Sequence, residues 1–320
     1  MKNGNGKAVL VLGATGGIGG EVARTLATRG WEVHAMRRGG PPDAAGTITW
    51  HEGDAMNGGD VLRAARGVEV IVHGVNPPRY QRWAELVLPM MENTIAAARV
   101  VGARIVLPGT IYNFGPDAFP LLREDAPQRP VTRKGAIRVE MERRLRESGV
   151  PAIVVRAGDY FGPRQQGNGW FGQVVVNAGK PVTTITLPNH EGIGHQWAYL
   201  PDVAETIARL LERDGKHAGF ESFHMAGHWD PDGARMAETV ARVVTRAGYA
   251  TPGTRRFPWS LMMLASPFVP LLREMREMRY SWQQPLHMPN DRLVAALGSE
   301  PHTPWDEAIG ASLAGIGCLG

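Results

Sequence analysis

The chain has 320 residues and a mass of 34.8 kDa, which allows one large domain or two domains of ordinary size. Its 43% hydrophobic and 21% charged residues exclude a disordered chain, and its single cysteine, Cys318, excludes an intramolecular disulfide framework and a cysteine-based zinc cluster. The net charge of +4 comes without dense runs of lysine and arginine, so we expect no nucleic-acid partner.

The first half of the chain alternates short apolar segments with amphipathic ones. Predicted strands cover residues 7–12, 31–36, 48–51, 68–73, 104–107 and 151–156. Predicted helices cover residues 17–29, 57–66, 79–101 and 134–148. Strands that are separated by helices form βαβ units, so we predict an α/β fold with a Rossmann-type, doubly wound parallel sheet.

This alternation ends after Gly162, where prolines, glycines and aromatic residues become frequent. We predict a dinucleotide-binding Rossmann domain over residues 1–162 and a smaller, mostly helical C-terminal substrate lobe over residues 163–320. The helices of this lobe are predicted at 201–212, 231–247 and 271–280. Two further strands, near 182–186 and 220–225, are expected to extend the main sheet.

The longest apolar stretch, residues 257–272, is shorter than the ~20 residues of a membrane-spanning helix and is interrupted by prolines. Residues 1–6 are polar and do not resemble a secretion signal. We therefore expect a cytoplasmic protein without a membrane partner. Aromatic and methionine side chains near the C-terminus either pack the second lobe or line an apolar substrate pocket: Trp259, Met262, Met263, Phe268, Met275, Met278, Tyr280 and Trp282.

A glycine-rich segment, Gly-Ala-Thr-Gly-Gly-Ile-Gly, directly follows the first predicted strand and opens the first helix. Gly13 permits a tight turn, Gly16 lets a pyrophosphate approach the backbone, and Gly19 lets the helix and the strand pack closely. The segment is either a purely structural turn or the phosphate site of a dinucleotide, and its strand–turn–helix context favours the phosphate site. The cofactor contacts expected here come from Gly13, Thr15, Gly16, Gly17, Ile18 and Gly19.

The end of the second strand determines which dinucleotide fits. An acidic residue there would bind the 2′-hydroxyl of NAD, whereas an arginine accommodates the 2′-phosphate of NADP. The chain has Arg37 and Arg38 at this place and no acidic residue before Asp43. We therefore predict NADP (NADPH) as the cofactor rather than NAD. Asp54, after the third strand, is a candidate for the adenine amino group.

Five segments resemble the short-chain dehydrogenase/reductase superfamily in its extended or atypical branches, which include epimerase-like and dehydratase-like members. They are residues 13–19, 70–76, 107–115, 156–163 and 195–204. The resemblance implies further cofactor contacts from Val75, Asn76, Pro108, Ala157, Gly158 and Asp159. It also implies that Thr110 occupies the position of the active-site serine or threonine of this superfamily.

The chain departs from this superfamily in the catalytic helix, which has no Tyr-x-x-x-Lys pair. If Glu142 corresponds to the glutamate of the family pattern, Lys134 takes the place of the tyrosine and Arg138 that of the lysine. If Glu140 corresponds to it instead, Thr132 and Ala136 take these places and have little chemistry to offer. We favour the first register, although both cations could also lie on a solvated helix face.

In the first register, Lys134 would donate a proton to the substrate oxygen and Arg138 would hold the nicotinamide ribose, while Thr110 would hydrogen-bond the substrate. Other candidate donors could replace the tyrosine. Tyr112 would share a strand face with Thr110. The remaining donors are Asp159 and Tyr160, beside the nicotinamide, and His195 and Tyr199 in a later segment. His190, Glu191 and His195 lack the spacing of metal ligands, so we expect no metal.

The leading hypothesis is an NADP-dependent oxidoreductase that moves a hydride between the nicotinamide and the carbonyl or alcohol carbon of a small, hydrophobic molecule. A non-catalytic NADP(H)-binding redox sensor and an epimerase or dehydratase remain as alternatives. The resemblance implies dimerisation through helices 79–101 and 134–148, but the second helix is heavily charged. Both a monomer and a homodimer are therefore open.

Overall fold

The computed structural model describes residues 7–39, 46–77, 82–164, 169–213, 219–265 and 276–320. Strands and helices are numbered in chain order within these ranges. The strands are β1 (Ala8–Leu12), β2 (Glu32–Arg37), β3 (Thr49–Glu52), β4 (Val70–His73), β5 (Arg104–Pro108), β6 (Ala152–Arg156), β7 (Asp159–Phe161), β8 (Thr184–Leu187), β9 (His195–Tyr199), β10 (Phe220–His224), β11 (His228–Asp230) and β12 (Gly253–Arg256). The α-helices are α1 (Gly17–Thr28), α2 (Gly58–Ala64), α3 (Trp83–Val101), α4 (Arg133–Glu147), α5 (Leu200–Glu212), α6 (Arg235–Arg246), α7 (Trp259–Ala265), α8 (Asp291–Leu297) and α9 (Trp305–Gly315).

The central sheet has seven parallel strands in the order β10-β6-β5-β4-β1-β2-β3. The order reverses between β4 and β1, because the chain builds outward in both directions from this pair. Open parallel sheets bind ligands at such a reversal, outside the carboxyl ends of the strands. The predicted Rossmann-type, doubly wound sheet is confirmed, and its strands lie within two residues of their predicted bounds.

Helices cover both faces of this sheet. Apolar side chains of α2, α3 and α4, such as Val61, Met91 and Leu145, pack on one face. Those of α1 and α5, such as Leu26 and Ile207, pack on the other face. Because each of these side chains is at most 1% exposed, each contributes roughly 1.5–3 kcal/mol of hydrophobic free energy.

The second lobe contains more strand than its sequence pattern predicts. β7, β9 and β11 form a three-stranded sheet, and β8 pairs with β12. The expectation that the strand near 182–186 extends the main sheet is therefore wrong, since its partner is β12. The matching expectation for 220–225 is confirmed, because β10 pairs with β6.

The second half of the chain also contributes α5 to the Rossmann layer, where it packs against α1. The domain boundary at residue 162 therefore remains a prediction. Two elements that follow it in the sequence, α5 and β10, belong to the Rossmann layer. The helix predicted at 271–280 lies mostly outside the described residues, and Arg279–Trp282 forms a 3-10 turn. Among the described helices, none combines the length and the apolar character that a membrane crossing requires.

Candidate functional site

Four loops meet where the strand order reverses. They follow the carboxyl ends of β1, β4, β5 and β6, and all four strands point the same way. The loops carry the glycine turn at Gly13, the segment 74–76, Thr110, and the turn 157–159. The structure thus brings most of the residues predicted for cofactor binding and catalysis to one edge of the sheet.

The glycine turn is built for close approach. Gly13 has a φ of 85°, and a Cβ atom there would lie 2.5 Å from the carbonyl oxygen of Gly74. A Cβ atom on Gly19 would lie 2.3 Å from the carbonyl oxygen of Gly13. Glycine is therefore required at both places, for the turn and for the contact of α1 with β1.

Gly16 serves a different purpose. It is the N-cap of α1, and no side chain caps the helix there. A Cβ atom on Gly16 would meet only the carbonyl oxygen of Gly13, at 3.3 Å. The backbone N–H groups at the start of α1 are thus available, and the first turn contains no acidic side chain. This cradle, which includes exposed Thr15 and half-buried Gly17 and Ile18, fits the pyrophosphate of a dinucleotide.

Two arginines lie at the carboxyl end of β2, next to this cradle in the sheet. Arg37 is half-buried and Arg38 is exposed. Neither guanidinium forms an ion pair or a hydrogen bond with any residue in the described part of the chain. Asp54 follows the neighbouring strand, where one of its carboxylate oxygens accepts a hydrogen bond from the backbone of Met56 at 2.9 Å.

Helix α4 places two cations inside the molecule. Lys134 is 8% exposed and Arg138 is 5% exposed, so neither lies on a solvated face. Both pack on the ring of Trp83, with Lys134 Nζ at 5.4 Å and Arg138 Cζ at 5.0 Å from the ring centroid. Arg138 Nη2 donates to Asn76 Oδ1 at 2.5 Å, which ties α4 to the loop after β4.

The start of α4 explains this placement. The Thr132 hydroxyl caps the helix by accepting a hydrogen bond from the backbone N–H of Gly135 at 2.9 Å. A Cβ atom on Gly135 would lie 2.1 Å from the carbonyl oxygen of Tyr112. Glycine therefore lets α4 touch the turn after β5, which carries Thr110. In this geometry Thr132 is a cap, and Lys134 and Arg138 face inward.

A buried ion pair fixes the same helix further along its length, at Glu142. Arg156 is 1% exposed and Glu142 is 3% exposed, and their side chains form two hydrogen bonds of 3.0 and 3.1 Å. Burial alone would raise the pKa of Glu142, but Arg156 and the Gln128 amide outweigh it and hold the pKa below its usual value. Glu140 pairs with arginines at the surface, so Glu142 is the inward carboxylate of α4.

Thr110 is held by this network. Its carbonyl oxygen accepts a hydrogen bond from Arg156 Nη1, and its hydroxyl donates to Asn113 Oδ1 at 3.0 Å. The expectation that Tyr112 shares a strand face with Thr110 is wrong. β5 ends at Pro108, and Ile111–Asn113 forms a 3-10 turn in which the side chains do not alternate.

A second pair of ionisable groups joins Asp159, directly after the β6 turn, to His195 of β9. His195 Nε2 lies 2.8 Å from Asp159 Oδ2, and His195 is 1% exposed. The imidazole stacks on the indole of Trp282, with 3.8 Å between the ring centroids. Tyr160 follows Asp159 in the chain and packs against the Rossmann core on the α1 and α5 side of the sheet. Sequence spacing alone does not predict the His195–Asp159 contact, because β7 and β9 pair across a long connection.

Aromatic side chains surround this pair. Trp282 contacts Trp170 and Trp197, with 5.0 and 5.6 Å between ring centroids. Trp259, Met262 and Trp282 belong to the core of the second lobe, whereas Met263 is 41% exposed. Phe268 and Met275 lie outside the described residues. The lobe core thus extends to Asp159 and His195, and Trp282, which is fully buried, packs this core rather than lining a pocket.

Tyr280, two residues before Trp282, ties its segment to the residues after β5. Its hydroxyl donates to the carbonyl oxygen of Phe114 at 3.0 Å, and its ring stacks on Phe119. Burial, together with the charge of Asp159, raises the pKa of this hydroxyl well above its usual value. Tyr280 is therefore a neutral hydrogen-bonding group rather than an acid at physiological pH.

The fold and this site define a dinucleotide-binding protein of the Rossmann type. The chain belongs to the NAD dependent epimerase/dehydratase family, whose sequence model matches residues 9–225. The resemblance to the extended short-chain dehydrogenases is thereby confirmed.

One similar protein of known name is a reductase. A 3-diazoavenalumate denitrifying reductase from Streptomyces sp is 31% identical over 330 residues, which cover 94% of this chain and 99% of that protein. Two solved structures share the fold at lower identity. The enzyme WbmH of Bordetella bronchiseptica, in complex with NAD+, superposes with a TM-score of 0.71 and 18% identity over 96% of this chain and 97% of its own. A nucleoside-diphosphate-sugar epimerase from Pseudomonas aeruginosa gives a TM-score of 0.71 and 17% identity over 98% of this chain and 99% of its own.

Proposed function

We propose that the protein is an NADP-dependent reductase that delivers a hydride to an electrophilic carbon of a small, hydrophobic substrate. The observation that carries this proposal is the burial of Lys134 and Arg138 where the cofactor loops meet. Buried cations at a site of hydride transfer stabilise the negative charge that develops on a substrate when it is reduced. The full-length similarity to a reductase supports the same direction of reaction.

The cofactor is NADPH in this proposal. When bound, it supplies the hydride from C4 of its nicotinamide. The backbone N–H groups of Gly17 and Ile18, at the start of α1, hold the pyrophosphate, and the guanidiniums of Arg37 and Arg38 bind the 2′-phosphate. The absence of a described partner for either arginine supports this role, since a phosphate would complete their coordination.

The cations of α4 have separate tasks. Arg138 binds the nicotinamide ribose, and Asn76 orients its guanidinium through the 2.5 Å hydrogen bond. Lys134 lies one helical turn earlier on the same face, where its ammonium group anchors the substrate oxygen or donates a proton to it. Thr110 adds a hydroxyl from the loop after β5.

The charge and the aromatic side chains around Asp159 favour a hydrophobic substrate over a nucleotide sugar. Asp159 pairs with His195, so the pair carries no net positive charge in either protonation state of the imidazole. A diphosphate would therefore find no cation at this pair. Of the aromatic side chains near this pair, Trp282 is fully buried, whereas the half-buried ring of Tyr280 offers a flat apolar surface.

A second candidate is the removal of a diazo group, the reaction for which the Streptomyces relative is named. Hydride adds to the carbon that bears the diazo group, the carbon–nitrogen bond breaks with its electron pair, and dinitrogen leaves. No oxygen atom needs a proton in this step. The absence of a tyrosine from α4 favours it, because a reaction without a proton acceptor tolerates the loss of the usual acid.

The loss of NADPH absorbance, measured with a panel of carbonyl compounds and a panel of arenediazonium salts, tests the proposal. We expect stoichiometric oxidation of NADPH with at least one class, above a control without protein. An epimerase would turn over without net oxidation, and a sensor would bind NADPH without consuming it. Either result would overturn the proposed function.

A further inference from the structure

A cluster of metal-binding side chains lies outside the four cofactor loops. Asp202 belongs to the first turn of α5, His228 to β11, and His302 to the segment before α9. One ligand atom from each lies within 4.8 Å of the others. We propose that these three residues bind a divalent metal ion of the zinc class, which clamps the second lobe to the Rossmann layer.

The imidazole of His228 is prepared for a metal. It is 1% exposed, and its Nε2 atom lies 2.8 Å from the carbonyl oxygen of Thr303. Because a carbonyl oxygen only accepts hydrogen bonds, Nε2 carries the proton and Nδ1 has the free lone pair. Nδ1 is buried and has no hydrogen-bond partner among the described residues. A backbone carbonyl on the opposite nitrogen is the usual device that orients a metal-binding histidine.

The burial of His228 makes the state of its Nδ1 atom important. A metal ion binds an imidazole through an unprotonated nitrogen, and Nδ1 is that nitrogen here because Nε2 faces a carbonyl oxygen. A buried lone pair without a partner is costly in a folded protein, and a metal ion would remove this cost.

Thr303 orients the carboxylate as well. Its backbone N–H donates to one oxygen of Asp202 at 2.8 Å, and its hydroxyl donates to the other at 2.6 Å. The same residue thus fixes two of the three ligands from two directions. Each oxygen keeps a further lone pair, and the negative charge of Asp202 offsets part of the charge of a divalent ion.

His302 supplies the third ligand and the entry route. It is exposed, and its ring stacks on His228 with 4.4 Å between the centroids and an angle of 27°. Zinc–nitrogen and zinc–oxygen bonds are about 2.0–2.2 Å long, so the ligand atoms must move closer together than they are in this structure. An exposed side chain can make this adjustment by a change of rotamer.

The donor set selects the class of metal. Two imidazoles and one carboxylate suit zinc, cobalt or nickel rather than magnesium or calcium, which prefer oxygen ligands alone. The three residues come from segments that are distant in the sequence, and α5 packs on α1 of the Rossmann layer. The ion would therefore tie the second lobe to this layer and stabilise the folded protein by mass action.

Cobalt titration of the whole, tag-free protein, after treatment with a chelator, tests the site. We expect visible absorption bands that saturate at one ion per chain, and a rise in the melting temperature with cobalt or zinc. His302→Ala should weaken binding by about tenfold or more. Because His302 is exposed, this variant should fold. His190→Ala, which removes another exposed histidine, is the matched control and should bind as the wild type does.

Absence of saturable binding to the wild type, or equal affinity in His302→Ala, would overturn the proposal. Asp202→Asn gives a second test that keeps the hydrogen bond to the Thr303 hydroxyl but removes the charge. NADPH binding is measured alongside in each variant. It should not change, so failure of the metal site is distinguishable from failure of the proposed reductase function.

Discussion

Arg37 and Arg38 carry the choice between the two dinucleotides. Replacement of both by alanine should weaken NADPH binding by about 1.5–3 kcal/mol for each charged hydrogen bond lost, and should spare NADH. Fluorescence titration with both cofactors measures the difference. Arg66→Ala, which removes an exposed arginine at the end of α2, is the control. Equal losses for NADPH and NADH would contradict the assignment.

Replacement of Lys134 and replacement of Arg138 should have different effects on the reaction rate and on cofactor affinity. If Lys134 donates a proton, Lys134→Met should lower the rate of the chemical step by roughly 10²–10⁴-fold and leave cofactor affinity almost unchanged. Arg138→Met should weaken cofactor binding as well, because its guanidinium holds the ribose. Single-turnover kinetics with an identified substrate separate the two effects. Full activity in Lys134→Met on a carbonyl substrate would place the donor elsewhere, with His195 as the next candidate.

Glu142 should make the free energy of unfolding depend on pH in the acidic range. Its pKa is lower in the folded protein than its ordinary value of 4.5, so its contribution is fully present above that value and is lost as the pH falls through the folded pKa. Glu142→Gln leaves Arg156 buried without its charged partner and should cost about 3–5 kcal/mol. It should also flatten the acid limb of the stability profile, measured by urea unfolding at several pH values.

The surface carboxylate on the same helix is the matched control for that measurement. Glu140 pairs with exposed arginines, so Glu140→Gln should change the free energy of unfolding little. If Glu142→Gln were as stable as Glu140→Gln, the ion pair with Arg156 would not hold α4 in place.

At the scale of elements, two glycines of the turn have different roles, one in cofactor binding and the other in folding. Gly16→Val should abolish dinucleotide binding without unfolding the chain, because a Cβ atom there meets one backbone oxygen at 3.3 Å, which a small shift relieves, but occupies the approach of the pyrophosphate. Gly19→Val should instead destabilise the fold, since its Cβ atom would lie 2.3 Å from a backbone oxygen. Thermal unfolding and NADPH titration of both variants test this contrast. Unchanged binding in Gly16→Val would reject the phosphate cradle.

The strands of the Rossmann sheet are predictable because each is a continuous apolar run between glycines and helices. β7 and β11, with three residues each, leave no such signal, and their partner β9 lies far along the chain. The prediction that Tyr112 shares a strand face with Thr110 is wrong for a related reason. Nothing in the local sequence shows that β5 ends at Pro108 and that a 3-10 turn follows.

Helix α4 shows why the site is harder to predict than the fold. Arginines and glutamates are spread around the helix, so its sequence has no clear apolar face that separates inward charges from solvated ones. Contacts with Trp83, Asn76 and Arg156 decide which charges are buried, and these partners come from other parts of the chain. The positions of Lys134 and Arg138 follow from spacing, whereas their burial follows from tertiary packing.

At the scale of the whole molecule, the two halves of the chain are interleaved. The second half adds β10 and α5 to the Rossmann layer, while Tyr280 hydrogen-bonds to Phe114 after β5 and Trp282 stacks on His195 of β9. The candidate site is thus assembled from parts that are distant in the sequence.

Transfer of deuterium from NADPH labelled at C4 tests the central claim most directly. The substrate is one found by NADPH oxidation, and its product must have no C–H bonds that exchange with water. Mass spectrometry of this product should show one deuterium on the reduced carbon. In the control, with unlabelled NADPH in deuterated water, the product should contain no deuterium. The account predicts transfer from one face of the nicotinamide only, with one NADPH consumed for each product. Product without the label, or substrate conversion without net oxidation of NADPH, would contradict it.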